Sequence, residues 1–210
     1  MKKRVILMGP PGGGKGTQAS LLKEAMGVPH ISTGDMLRAA RKAGTELGKK
    51  ADAYIVAGQL VPDELVNGIV AERLSSETRG FLLDGYPRTV AQADSLEASG
   101  QVVDAVVLIE VPDELIVDRI VGRRSCPKCG SVFHLSTLPP KVDGVCDACG
   151  GELVQRGDDC EDVVKQRLTT YHDQTQPLIE YYSSRGLLYR VNGNNEVSAV
   201  FAEIRKVLEF

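Results

Sequence analysis

The chain has 210 residues, 42% of them hydrophobic and 25% charged, which suits one globular domain enlarged by insertions. Its 25 Lys and Arg against 28 Asp and Glu leave a formal charge of -3, so a polyanion-binding surface of the nucleic-acid type is not indicated and phosphate chemistry would need a local basic cluster. No apolar stretch approaches the ~20 residues that span a bilayer, and four of the five cysteines fall in two Cys-x-x-Cys pairs rather than a disulfide framework, which points to a reducing, cytoplasmic compartment.

In chain order, residues 4–8 form a short apolar run ending at Gly9, a strand buried on both faces and too short for a signal peptide. A glycine-rich turn follows, then a helix from Gly14 to Met26 stopped by Gly27, then an extended segment from Val28 to Ile31. Thr33 or Asp35 caps a helix over Met36 to Ala43, Gly44 and Gly58 bracket a second, and Pro62 opens a third. Phe81–Leu83 is another buried strand, followed by a helix from Thr89 to Ser99 and a central strand over Ala105–Ile109. Pro112-Asp113 opens a helix reaching Arg124. Glu161 to Ser184 reads as one helix bent at Pro177, and a last strand (Leu187–Val191) and helix (Val197–Leu208) complete the chain. Five strands alternating with helices predict a parallel sheet with right-handed crossovers.

Gly9-Pro-Pro-Gly12-Gly13-Gly14-Lys15-Gly16-Thr17 lies between the first strand and the first helix, the context a P-loop requires. Glycines let successive backbone N–H groups turn toward one centre at the positive end of a helix, Lys15 reaches the β and γ phosphates, and Thr17 is placed to meet magnesium. The general pattern has Ser or Thr directly after the lysine, and here Gly16 intervenes. Asp84, at the end of the Phe81–Leu83 strand, resembles the acid that such folds deliver toward the metal, although an Asp in that place, taken alone, is more often a strand end or helix cap than a metal contact.

Cys126-Pro-Lys-Cys129-Gly130 and Cys146-Asp-Ala-Cys149-Gly150 have the spacing of a four-thiolate zinc site. Four sulfurs fill a tetrahedral ion, so one structural zinc per chain is expected, folding a segment with too few apolar residues for its own core. A zinc ribbon that binds nucleic acid is the rival reading, and the interval Ser131 to Val145 holds only Lys141 and His134 toward that role. Cys160 falls outside the pattern, at a helix start.

These blocks, together with Ile31-Ser-Thr-Gly-Asp-Met-Leu-Arg38, Phe81-Leu-Leu-Asp-Gly-Tyr-Pro-Arg-Thr89, Pro112 to Arg124 and Arg156-Gly-Asp-Asp159, resemble the adenylate kinases among the nucleoside monophosphate kinases, across nearly the whole chain. The resemblance implies an α/β P-loop NTPase three-layer fold with a five-stranded parallel sheet, a helical AMP-binding insertion and a small zinc-binding lid. Residues 1–31, 62–122 and 160–210 would be the core, 32–61 the insertion and 123–159 the lid. It implies ATP at Gly12, Gly13, Gly14, Lys15, Gly16, Thr17, Arg119, Arg123, Val132, Phe133 and Asn195. It implies AMP at Thr33, Arg38, Gln59, Leu60, Val61, Gly85, Tyr86, Pro87, Arg88, Gln92, Arg156 and Arg167. Lys15, Arg88, Arg123, Arg156 and Arg167 would be catalytic, Asp84 would hold magnesium through water, and Asp158 and Asp159 match acids tied to lid closure. The partners are then ATP, AMP and ADP, with no nucleic acid and no membrane, on a monomer.

The chemistry fits those residue types. Two anionic nucleotides need cations around the transferring group, and Arg119 and Arg123, spaced i, i+4, would share one face of the helix reaching Arg124. An AMP phosphate oxygen is already largely ionised near neutral pH, so no general base is required and His30, His134 and His172 need no catalytic role. A GTP:AMP phosphotransferase or another nucleoside monophosphate kinase, and a hydrolytic P-loop switch, remain the alternatives.

Overall fold

The computed structural model describes residues 1–210. Five parallel strands, β1 (Arg4–Met8), β2 (His30–Ser32), β3 (Phe81–Asp84), β4 (Ala105–Glu110) and β7 (Leu188–Asn192), form one sheet in the order β2-β3-β1-β4-β7. The register sets Leu7 beside Asp84 on one side of β1 and Met8 beside Leu108 on the other.

Strand runs that look uniformly apolar divide by alternation between the two faces. Ile6, Met8, Phe81, Leu83, Val106 and Leu108 pack one way, against α4 (Asp63–Leu74), α5 (Val90–Ala98) and α8 (Leu178–Ser183). Val5, Leu7, Leu82, Val107 and Ile109 pack the other way, against α1 (Lys15–Met26) and α9 (Val197–Leu208). The result is the expected three-layer α/β architecture. Truncating a side chain such as Leu82, fully buried between the layers, to alanine would cost about 2–5 kcal/mol.

Two further helices, α2 (Thr33–Lys42) and α3 (Glu46–Val56), pack on each other between β2 and α4. Ser32 caps α2, its hydroxyl accepting from the Asp35 N–H at 3.3 Å, so the helix begins earlier than Thr33 or Asp35 as caps would have it. Thr45 caps α3 by accepting from Gly48 N–H at 3.1 Å.

Two helices depart from the expected boundaries. The one opening at Pro112 is α6 (Asp113–Val121); it stops at Gly122, and Arg123 starts β5 (Arg123–Ser125), an antiparallel partner of β6 (Val132–His134). Arg119 and Arg123 therefore do not share a helix face. A Cβ at residue 122 would lie 2.4 Å from His134 Nε2, so glycine is what lets the hairpin close over the helix end. The segment from Glu161 divides into α7 (Glu161–Thr170), a π-helical turn over Tyr171–Thr175, and α8, so the break precedes Pro177. No helix is long and apolar enough to cross a membrane.

Candidate active site

The carboxyl ends of the parallel strands open into one cleft of about 900 Å³ beside β1, where chain connections diverge to either side of the sheet. Leaving β1, the backbone turns through Gly12 at φ 73°, and a Cβ there would meet Ile120 Cγ1 at 2.7 Å. Gly14 precedes α1 at φ 87°, and the first turn closes with Gln18 N–H donating to Gly14 O at 3.0 Å. Backbone N–H groups at that helix start have no intrahelical acceptor and face anions favourably.

Lys15 Nζ donates to Gly9 O and Pro10 O, both at 2.7 Å, which fixes the ammonium against the loop with its third hydrogen undirected by either bond. Burial pushes its pKa down to about 8; Asp84 opposes that shift, and Arg88, Arg167 and Arg123 add to it. Asp84, at the end of β3, lies 3.3 Å from His30 Nε2, and a Cβ on Gly16 would be 3.8 Å from its Oδ2. The acid thus stands beside the phosphate loop.

The arginines reach the cleft from separate elements, each held by its own anchor. Arg119 of α6 donates to Gly193 O and Asn194 Oδ1, each at 3.0 Å. Arg123 Nε donates to Asp159 Oδ2 at 2.9 Å, Arg156 Nε to Ser125 Oγ at 2.9 Å, and Arg167 of α7 to Asp158 Oδ2 at 3.0 Å. Arg88 Nε donates to Gly85 O at 2.8 Å; Gly85 has φ 76°, which favours glycine, and a Cβ there would sit 2.7 Å from Arg88 Nη2 and displace the guanidinium. Arg38 pairs with Asp35. Burial first, then mutual repulsion, pushes Arg88 and Arg156 down to about 10 and lowers Arg167. Burial raises Asp158, and Arg167 and Arg38 more than reverse that. Lys15 and six arginines outnumber the four carboxylates among them, Asp35, Asp84, Asp158 and Asp159, and that excess of positive charge makes a site for a polyanion.

Of the residues singled out in the sequence, Gly12 to Thr17 of the phosphate loop, Thr33, Arg38, Gln59, Leu60, Val61, Asp84, Gly85, Pro87, Arg88, Gln92, Arg119, Arg123, Val132, Phe133, Arg156, Arg167 and Asn195 line this one cleft. Tyr86 does not: it is buried beneath the wall, its hydroxyl 2.8 Å from Asn67 Oδ1 and 3.1 Å from Gln92 O. Asp158 lines the cleft and Asp159 lies behind it, fully buried. Two supporting residues carry no signal in the sequence. Asp63, read only as a helix start, accepts from Gln92 and Thr89, and Ser125 carries Arg156. Nothing local marks such partners, because they act across distant chain.

Beyond β5, the four cysteine sulfurs lie within 4.8 Å of one another, Cys126 and Cys149 at 3.4 Å and Cys129 and Cys146 at 3.5 Å. A tetrahedral ion with ~2.3 Å bonds to sulfur would set edges of about 3.8 Å, so this donor set fits a metal ion. Both pairs turn alike: Gly130 N–H donates to Cys126 O at 2.9 Å and Gly150 N–H to Cys146 O at 2.8 Å. Only Cys126, Phe133, Cys146 and Leu153 are buried together there, too small a core to stand without a cross-link. Cys160 is exposed ahead of α7, with no cap bond from its side chain.

A phosphate loop after the first strand, an acid at the end of the neighbouring one and a ring of guanidinium groups define a P-loop nucleotide-binding protein built to bring phosphates together. The adenylate kinase family profile matches residues 7–187. The chain is 55% identical to an adenylate kinase of Caldicellulosiruptor bescii over 98% of both chains, and 53% identical to one of Desulfitobacterium hafniense over 98% of both. It is 52% identical to an adenylate kinase of Archaeoglobus fulgidus over 98% of this chain and 97% of that one. The chain belongs to the adenylate kinase family.

Proposed function

We propose that the protein catalyses the reversible transfer of the terminal phosphoryl group of magnesium ATP to AMP, giving two ADP. One observation carries this reading: Lys15 and the guanidinium groups of Arg88, Arg123, Arg156 and Arg167 line the same cleft as the phosphate loop. The donor lies over that loop on the side of Arg119 and Arg123, with its base near Val132, Phe133 and the backbone at Asn195. The acceptor lies against Thr33, Arg38, Gln59 to Val61, Gly85, Pro87, Arg88 and Gln92, its phosphate gripped by Arg88, while Tyr86 supports that wall from behind. An AMP phosphate oxygen attacks the γ phosphorus as the bond to the bridging β–γ oxygen breaks and ADP leaves with the electron pair. The cations offset repulsion between reactants and charge on the transferring group. The attacking oxygen is already ionised, so no proton need be removed. Magnesium, which Asp84 through water and Thr17 would hold, adds further neutralisation of the donor phosphates.

Water competes as acceptor, so the site must close before transfer; the adenylate kinase lid is a standard instance of such closure. In this account residues 123–159 are the lid and 32–61 the acceptor-side insertion on a core of 1–31, 62–122 and 160–210. Zinc is the metal of Cys126, Cys129, Cys146 and Cys149, one ion per chain with no open position and hence structural. The protein works as a cytoplasmic monomer without nucleic acid. A coupled assay crossing ATP and GTP with AMP, UMP and CMP tests this. ATP with AMP should be the preferred pair; preference for GTP or another acceptor would reassign the enzyme within its family, and triphosphate hydrolysis independent of any monophosphate would refute transfer.

A further inference from the structure

The wall that would read the acceptor base has its key amide held in one sense by a carboxylate. Gln92 is 1% exposed and lines the cleft. Its Oε1 accepts from the Arg88 backbone N–H at 2.7 Å, and its Nε2 donates to Asp63 Oδ1 at 2.7 Å. The second oxygen of Asp63 accepts from the Thr89 hydroxyl at 2.9 Å, and that hydroxyl accepts from Gln92 N–H at 3.1 Å, capping α5. An ionised carboxylate only accepts and a backbone N–H only donates. Flipping the amide would face oxygen to carboxylate on one side and NH2 to N–H on the other, so its orientation is chemically determined.

From this arrangement we infer that Asp63 is a positioning residue for acceptor-base specificity. Each half of the Gln92 amide keeps one unused function, a second N–H on Nε2 and a second lone pair on Oε1. In the sense that Asp63 and the Arg88 N–H together impose, these form an adjacent donor and acceptor that complement a ring nitrogen beside an exocyclic amine, the edge of a 6-aminopurine. A 6-oxopurine offers a carbonyl and a ring N–H in those places and meets like against like. Asp63 touches neither base nor phosphate; it acts through Gln92, and through Thr89 it ties α4 to the start of α5 along the same wall. This inference rests on the proposed acceptor site and adds what orients its reader.

The test compares AMP with IMP as acceptors, because the two purines differ at this edge. The variants are Asp63→Ala, Asp63→Ser as one that keeps a side chain suited to a helix start, and Asp63→Asn as the conservative change that still offers Gln92 an oxygen. Asp63→Ala and Asp63→Ser should raise KM for AMP about tenfold, leave kcat within about twofold, and narrow the AMP-over-IMP ratio of kcat/KM by about tenfold, the effect of losing one charge-assisted hydrogen bond. Asp63→Asn should hold most of the native ratio. Loss of stability with the AMP-over-IMP ratio unchanged in Asp63→Ala or Asp63→Ser would overturn the inference, since it would leave Asp63 a purely structural role. Failure of the underlying reading looks different: the unaltered enzyme would then use IMP as readily as AMP, or no monophosphate at all.

Discussion

Arg123 and Asp159 form a two-point ion pair across 36 residues of chain, Nε donating to Oδ2 at 2.9 Å and Nη2 to Oδ1, with Asp159 fully buried. The pair clamps the outgoing strand β5 to the returning segment ahead of α7, closing the base of the cysteine-bearing unit, and Arg167 approaches the same carboxylate at 4.0 Å. Asp159→Ala strands a mostly buried guanidinium and should cost about 3 kcal/mol, the low end for a broken buried pair because Arg123 also faces the cleft. Urea unfolding of the variant measures this. A change within about 0.5 kcal/mol, as at ordinary surface positions, would mean the clamp carries no load.

Lys15 and Arg88 stand on the cleft wall and bond mainly to backbone carbonyls, so their loss should touch chemistry more than folding. Lys15→Ala or Arg88→Ala should each slow transfer by ~10³-fold or more, with a thermal midpoint close to that of the unaltered protein. Near-normal turnover in either variant would remove that side chain from the proposed machinery.

Burial holds the Lys15 ammonium at a pKa of about 8, below its ordinary 10.5. Below about 8 the free enzyme keeps the cation, and above it the cation is lost. Donor kcat/KM, which reports the free enzyme, should therefore fall as pH rises through about 8, while the arginines near 10 stay charged over the same interval. Lys15→Arg should abolish that alkaline limb whatever its absolute rate. A profile of the unaltered enzyme that stays flat to about pH 10 would contradict the role of this burial.

The cysteine unit has four buried residues as its core, two of them Cys126 and Cys146. Protein purified without chelator should carry about one equivalent of zinc, and Cys146→Ser should drop below half of that and become open to proteolysis between residues 126 and 150. Elemental analysis that finds less than about half an equivalent in the unaltered protein would sink the four-thiolate zinc assignment.

The phosphate loop and cysteine pairs were legible because their chemistry is written in short, local patterns, and the buried strands because apolar runs between glycines have few other uses. Long-range demands were not. The pattern through Val121 and Arg124 reads as continuing helix, yet the pairing of Arg123 with His134 across the β5–β6 hairpin takes the chain away at Gly122. The π-helical turn at Tyr171–Thr175 interrupts a segment whose apolar spacing shows nothing amiss. Tyr86 sits between Asp84 and Gly85 on one side and Pro87 and Arg88 on the other, all of which line the cleft, but its own ring packs into the core under α4, where only tertiary packing could send it. Likewise Asp63 and Ser125 acquire their importance from partners 29 and 31 residues away.

Whether the cleft gathers both nucleotides around one phosphate chain can be seen in a crystal of the protein grown with a bisubstrate mimic, two adenosines joined by five phosphates. The phosphate chain should be cradled by backbone N–H groups of residues 12–17, with Lys15 and Arg88, Arg123, Arg156 and Arg167 turned onto it and one adenosine against Gln92. A mimic bound elsewhere, or those guanidinium groups directed away from the phosphates, would contradict that arrangement.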